Sequence, residues 1–195
     1  MNTALTLPRL VTDRLVRGRV AADILLVIGA SAIIAVAAQI AIPIPGSPVP
    51  LTMQPLAVIF VGVALGSVRG AAAAALYLLE GVSGLPVFAQ GHAGAGWLVL
   101  ATGGYLMSYP FASFVAGWFS ERGWGNSVVR SIAGMLAALG VIYLGGWAWL
   151  AVLTTPRAAL SMGILPFVIA DIVKVAFGAA LLPYAQRLVA RLTIT

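Results

Sequence analysis

Residues 164–182 read Ile-Leu-Pro-Phe-Val-Ile-Ala-Asp-Ile-Val-Lys-Val-Ala-Phe-Gly-Ala-Ala-Leu-Leu, an apolar run interrupted by Asp171 and by Lys174, the one lysine of the 195-residue chain. Such a run is long enough to cross the hydrocarbon of a bilayer, which takes about 20 residues of helix. Each charge near the bilayer centre costs about 2.5–3.5 kcal/mol on insertion scales, so ionisable groups at that depth face an interior cavity and mark a functional site. A spacing of three places both side chains on one helix face, within mutual reach. The pair reads either as a structural ion pair locking two helices or as a carboxylate acceptor and an ammonium donor offered to a polar ligand.

The rest of the chain supports a membrane setting. Hydrophobic residues make up 62% and charged residues 8%, against about 25% charged in a soluble domain, and the mean hydropathy is +1.07. Most of the surface must therefore meet lipid. The net charge of +6 is read as membrane topology; no aromatic-interleaved basic patch supports nucleic-acid binding. The absence of cysteine removes disulfides and thiolate sites, and a single histidine, His92, removes His-rich metal motifs. Lys174 follows Val173, so no Gly-Lys-Ser/Thr phosphate loop exists. Transport driven by ATP would need another subunit to bind the nucleotide.

Six apolar segments, at 23–42, 54–67, 70–87, 97–119, 128–153 and 164–188, predict an all-α integral membrane protein, a six-transmembrane-helix bundle. The organisation is a basic arm at 1–22 followed by one membrane domain at 23–195. The arm is not read as a cleaved signal peptide, because further spans follow and Ala37-Ala38-Gln39 is a poor cleavage site. With both termini cytoplasmic, Arg9, Arg14, Arg17, Arg19, Arg69, Arg122, Arg130, Arg187 and Arg191 fall inside and only Arg157 outside. The positive-inside rule predicts that bias. The stretch 42–50 holds four prolines and is expected to be a stiff, extended loop. This loop, the Gly-rich loop at 88–96 and the Asp171–Lys174 pair all fall toward the outer half of the membrane, as a site loaded from outside requires.

Small residues recur every four positions at Gly62, Gly66 and Gly70, and at Ser31/Ala35, Ala37/Ala41 and Ala71/Ala75. Such ladders mark close helix contacts, within the bundle or against a partner membrane subunit. Gln90 can donate and accept at once, which suits a urea-like or amide-like group; it also reads as a solvated loop residue. His92 reads as a solvated loop residue. Tyr105, beside two glycines, is a candidate aromatic wall or an interfacial anchor, and Trp97, Trp147 and Trp149 read as anchors. Glu80 either pairs with Lys174 or reaches outward, and is left unassigned.

Several pieces occur in an order that resembles the BioY family, the biotin-binding substrate-capture (S) components of energy-coupling-factor (ECF) vitamin transporters. They are Pro-Val-Pro-Leu-Thr-Met-Gln at 48–54, Gly-Leu-Pro-Val-Phe-Ala at 84–89, Thr-Gly-Gly-Tyr-Leu at 102–106, Gly-Trp-Ala-Trp-Leu at 146–150, and Leu-Pro-Phe with Asp171 and Lys174. The resemblance implies a multi-pass protein of the bacterial cytoplasmic (inner) membrane that captures biotin on its outer face, with no cofactor. It places the substrate at Asp171, Lys174 and Gln90. Tyr105, Thr52 and Gln54 lie in family-like segments and join the candidate site. The implied partners are a transmembrane coupling protein and ATPase subunits of an ECF module, surrounding lipid, and in a stand-alone form a homo-oligomer. Biotin has two ureido N–H donors that Asp171 can accept, while Lys174 suits either the ureido carbonyl or the carboxylate.

Rival readings are a capture component for another vitamin, such as thiamine or riboflavin, and an intramembrane enzyme. The second fails on geometry: Asp13, Asp23 and Asp171 do not converge at one depth, and His92 lies in a loop away from any serine partner.

Overall fold

A computed structural model of the protein describes residues 20–192. The arm at 1–22 lies almost wholly outside the described residues, with Arg9, Arg14, Arg17 and Arg19. Seven α-helices are described: α1 (Val20–Gln39), α2 (Gln54–Leu65), α3 (Ser67–Val82), α4 (Gly103–Glu121), α5 (Val128–Leu153), α6 (Pro156–Gly163) and α7 (Leu165–Leu192). A two-stranded antiparallel hairpin, β1 (Ala41–Ile42) with β2 (Leu51–Thr52), pairs Ala41 with Thr52 and Ile42 with Leu51.

Helix α4 is the centre of the bundle, packed by α2, α3 and α5; α1 rests on α2 and α3, and α7 on α5 and α2. Glycine makes these approaches close. A Cβ at Gly62 would lie 2.2 Å from the Ser113 carbonyl oxygen, and one at Gly117 would lie 2.3 Å from the Ser67 nitrogen. The Gly62–Gly66–Gly70 ladder is thus internal packing: Gly62 and Gly70 meet each other and Ser113, while Gly66 (φ 89°) makes the turn between α2 and α3.

Polar side chains are buried within the apolar core, and many large apolar side chains face outward. Ser31, Gln54, Ser108, Ser113 and Asp171 are buried, whereas Leu25, Val36, Val129, Val152, Ile169 and Val173 are exposed. A water-facing protein distributes these groups the other way. By length and apolarity, among the described residues α5 alone is fit to cross a bilayer; α6 and the 165–180 part of α7, bent by 45° at their junction, make a second if counted as one span. Helix α2, at 12 residues, is about 18 Å long, short of a hydrocarbon core of about 30 Å.

The helical segments differ from expectation in four places. The segment expected from 97 begins only at Gly103, because the stretch before it coils into a 3₁₀ turn, Ala95–Leu98, entered through Gly94 at φ 96°. The segment expected at 70–87 runs from Ser67 to Val82, stopping before Gly84 (φ 103°) and Pro86. The first segment stops at Gln39, where the chain turns into β1. Between α5 and α7 an unexpected helix, α6, starts on Pro156, with the Thr155 hydroxyl accepting from the Ala158 N–H at 3.2 Å.

The proline-rich stretch is extended as expected and is also closed into the β1–β2 hairpin. Ser47 fastens its tip: the hydroxyl donates to the Met162 carbonyl at the end of α6 (2.7 Å) and accepts from Val49 N–H (3.1 Å). Gly46 (φ 80°) makes the turn.

Candidate functional site

Asp171 lies in the first half of α7 and is 4% exposed, although its neighbours Ile172 and Val173 face outward. Its carboxylate is held at both oxygens. Lys174 Nζ donates to Oδ1 (2.8 Å) and the Tyr143 hydroxyl of α5 donates to Oδ2 (2.8 Å). Lys174 also donates to the Thr52 carbonyl of β2 (2.8 Å), tying α7 to the hairpin. The ion pair predicted by spacing is therefore present, and it is turned inward. A carboxylate has about four acceptor positions; two are taken, and the rest are open to a ligand.

A cavity of about 200 Å³ opens in front of this carboxylate. The hairpin covers it with Pro43, Pro48, Pro50 and Thr52, and the Gly-rich loop adds Phe88, Ala89, Gln90, His92 and Trp97. Helix α4 supplies Tyr105, Leu106 and Tyr109, α5 supplies Ile142 and Tyr143, and α7 supplies Phe167 and Asp171. The volume is small beside the roughly 300–1,000 Å³ common for small-molecule sites, so it suits one compact ligand. Its wall is mostly aliphatic and aromatic with one anionic group, a match for a molecule that is largely apolar and carries N–H donors.

Five of the six candidate residues, Asp171, Gln90, Tyr105, Thr52 and Gln54, line this cavity; Lys174 stands behind Asp171 and does not. Gln54 and Thr52 are already engaged. The Thr52 hydroxyl donates to Gln54 Oε1 (3.2 Å), and Gln54 Nε2 donates to the Tyr77 hydroxyl, which donates to the Val87 carbonyl (3.2 Å). Their geometry fits a brace between hairpin, α3 and loop. Tyr105 is buried, donates to the Gly163 carbonyl (2.6 Å) and packs its ring on Gly146, which makes it a wall and not an interfacial anchor. Gln90 is exposed on the rim, in a left-handed conformation (φ 60°, ψ 27°).

Of the remaining residues, His92 and Trp97 reach the cavity, whereas Glu80, Trp147 and Trp149 do not. Glu80 meets Ser31, whose hydroxyl donates to Oε2 at 2.5 Å, joining α3 to α1, and does not meet Lys174. The His92 ring packs on Trp97 at a tilt of 44° with centroids 4.0 Å apart, and both residues line the rim of the cavity. Trp147 and Trp149 donate to the Pro156 and Leu100 carbonyls (3.1 and 3.0 Å), fixing loops at the same end.

Sequence reading missed Tyr143, Tyr109, Thr102 and Gln39. Tyr143 is the lone tyrosine of the apolar run 128–153, and a single phenol in such a run is the available signal, since a buried carboxylate requires donors. The Thr102 hydroxyl is buried without a partner in a residue lining the cavity.

The bundle is that of a small helical membrane component with a ligand-sized hollow between its loops and its core. The same fold is found in a crystal structure of the S-component for biotin from an ECF-type ABC transporter, with a TM-score of 0.76 and 23% identity over 86% of this chain and 90% of that one. The BioY family profile matches residues 5–191. A probable biotin transporter BioY of Pyrococcus horikoshii is 40% identical over 74% of this chain and 84% of that protein. A biotin transporter BioY of Thermotoga maritima is 39% identical over 76% of this chain and 86% of that protein. The chain belongs to the BioY family.

Proposed function

We propose that this protein captures biotin from outside a bacterial cytoplasmic membrane and hands it inward as the substrate-binding component of an ECF-type transporter. It is a carrier subunit and catalyses no reaction. Six crossings, with α6 and α7 forming one bent crossing and both termini inside, fit the alternation of the helices and the placement of arginine. Energy then comes from a coupling protein and ATPases, since the chain holds no phosphate loop.

One observation carries this reading: a buried carboxylate, braced by Lys174 and Tyr143, faces a mostly apolar cavity covered by two loops. Biotin presents ureido N–H donors to the open lone pairs of Asp171, and its thiolane and aliphatic chain to the Tyr105, Tyr109, Ile142 and Phe167 wall. Its carboxylate reaches the rim near Gln90 and the orphan Thr102 hydroxyl. Lys174 acts by holding the Asp171 carboxylate in orientation through its bond to Oδ1.

The test is equilibrium binding of radiolabelled biotin to the purified protein in detergent, with thiamine and riboflavin as competitors. Stoichiometric binding displaced by unlabelled biotin alone is expected. Displacement by thiamine or riboflavin, or no retained biotin, overturns the assignment.

A further inference from the structure

Helix α1 contributes no residue to the cavity wall, yet its last residue reaches the loop that does. Gln39 Nε2 donates to the Val87 carbonyl (3.3 Å) and the Phe88 carbonyl (3.2 Å), besides Ala35 of its own helix (3.1 Å). Gln39 Oε1 accepts from the Gly91 N–H (3.0 Å). One side chain thus holds both ends of the turn that carries Phe88, Ala89 and Gln90 to the cavity.

That turn needs holding. Gln90 is the one non-glycine residue with positive φ among the described residues, and Gly91 follows at φ 75°. A side chain in the left-handed region is strained, and such strain persists only where the surroundings over-determine it. The entry to the turn is fixed by burial: the Phe88 ring lies against Gly81 and edge-on to Tyr77, at 5.7 Å and 74°. Its exit has less. Gly91 N–H shares itself between Gln39 Oε1 and the Phe88 carbonyl (3.1 Å), and Gln39 is what ties that amide to the bundle.

We infer that Gln39 is a positioning residue for ligand retention, holding the 87–91 turn in the strained shape that closes it on the cavity. The inference rests on the proposal that the cavity is the biotin site. With the amide gone, the turn must be ordered by the ligand itself, and ordering of that kind weakens binding. The weakening is expected in the dissociation rate, where affinity differences among variants of one site mostly lie.

Because the chain has no cysteine, Ala89→Cys supplies a clean reporter on the turn. Gln39→Met keeps the length of the side chain and removes the amide; Gln39→Ala removes both. In membranes, the Ala89→Cys thiol should react faster with an impermeant maleimide when either change is added. Radiolabelled biotin should leave Gln39→Met and Gln39→Ala protein about ten-fold faster, as loss of one or two hydrogen bonds implies, with association little changed. Gln39→Glu, which keeps the acceptor for Gly91 N–H but turns an anion on two carbonyls, should behave like Gln39→Met. Unaltered dissociation and labelling in these variants overturn the inference while the biotin reading stands. If the unsubstituted protein holds no biotin, the reading falls and the inference with it.

Discussion

Asp171 and Lys174 have separate tasks, and substitution can part them. Asp171→Asn keeps the size of the side chain but removes the charge that faces the cavity. Hydrogen bonds to charged groups contribute about 1.5–3 kcal/mol, so biotin affinity should fall roughly ten- to 150-fold in equilibrium binding. Lys174→Met acts on the fold as well. It leaves a buried carboxylate with Tyr143 as its remaining donor and strips the Thr52 carbonyl of its partner. Breaking a buried ion pair from one side costs about 3–5 kcal/mol, and the melting temperature of the ligand-free protein should drop accordingly. The double variant Asp171→Asn, Lys174→Met removes the orphaned charge, so it should melt above Lys174→Met while binding biotin no better than Asp171→Asn. Equal melting of the single and double variants would contradict this division. Tyr143→Phe, which retains the ring and deletes one donor to Oδ2, should weaken binding with little change in melting.

Among the elements, α4 is held by contacts that leave no room for a side chain. Gly117→Ala would press a methyl group on the Ser67 backbone nitrogen, which cannot swing aside. Overpacking of this kind costs about 1–3 kcal/mol, so the variant should melt lower. Gly140→Ala on α5 meets open space within 4 Å, and a helix interior favours alanine by about 1 kcal/mol; it should be neutral or stabilising in the same thermal assay. The contrast between such positions also shows what a sequence discloses. Helix α5 is found at the expected 128–153 because its run carries no charge from Ser131 on and the helix is bounded by Ser127 and Thr154. The segment expected from 97 starts later because Trp97 and Leu98 are as apolar as the helix they precede, and a turn at 99–102, closed by Gly103 N–H donating to the Leu100 carbonyl, separates them from it. Helix α6 carried a readable signal in Thr155-Pro156, a cap followed by proline at the first helical position. Asp171 and Lys174 were legible because charge in an apolar run is conspicuous. Their companions were not: Tyr143 is 28 residues from Asp171 and Thr52 is 122 from Lys174, separations that only the packing of α5, α7 and the hairpin closes.

Taken whole, the molecule has two unlike ends. The cavity end gathers the hairpin, the 83–102 loop, the end of α1 and the start of α4. The other end gathers arginines: Arg69 at the start of α3 pairs with Asp23 of α1 (2.9 Å), Arg122 closes α4 with its guanidinium over Trp118 (3.4 Å), and Arg130 opens α5. Cytoplasmic loops carry the excess of arginine, so the arginine-rich end should face inward and the cavity outward. Single cysteines in this cysteine-free chain give the measurement. Gly46→Cys, at the hairpin tip, and Gly91→Cys, in the loop, should react with an impermeant maleimide on intact cells, and biotin should slow the second. Ser127→Cys, half-buried in the turn between α4 and α5, should react only after the cells are opened. Both glycines of the cavity end have open space around a Cβ, though their positive φ makes the side chain mildly strained; Ser47→Cys is therefore a second reporter at the tip. Labelling of Ser127→Cys from outside, with the tip protected, would invert the orientation. The cavity would then open to the cytoplasm, and capture from outside could not be its task.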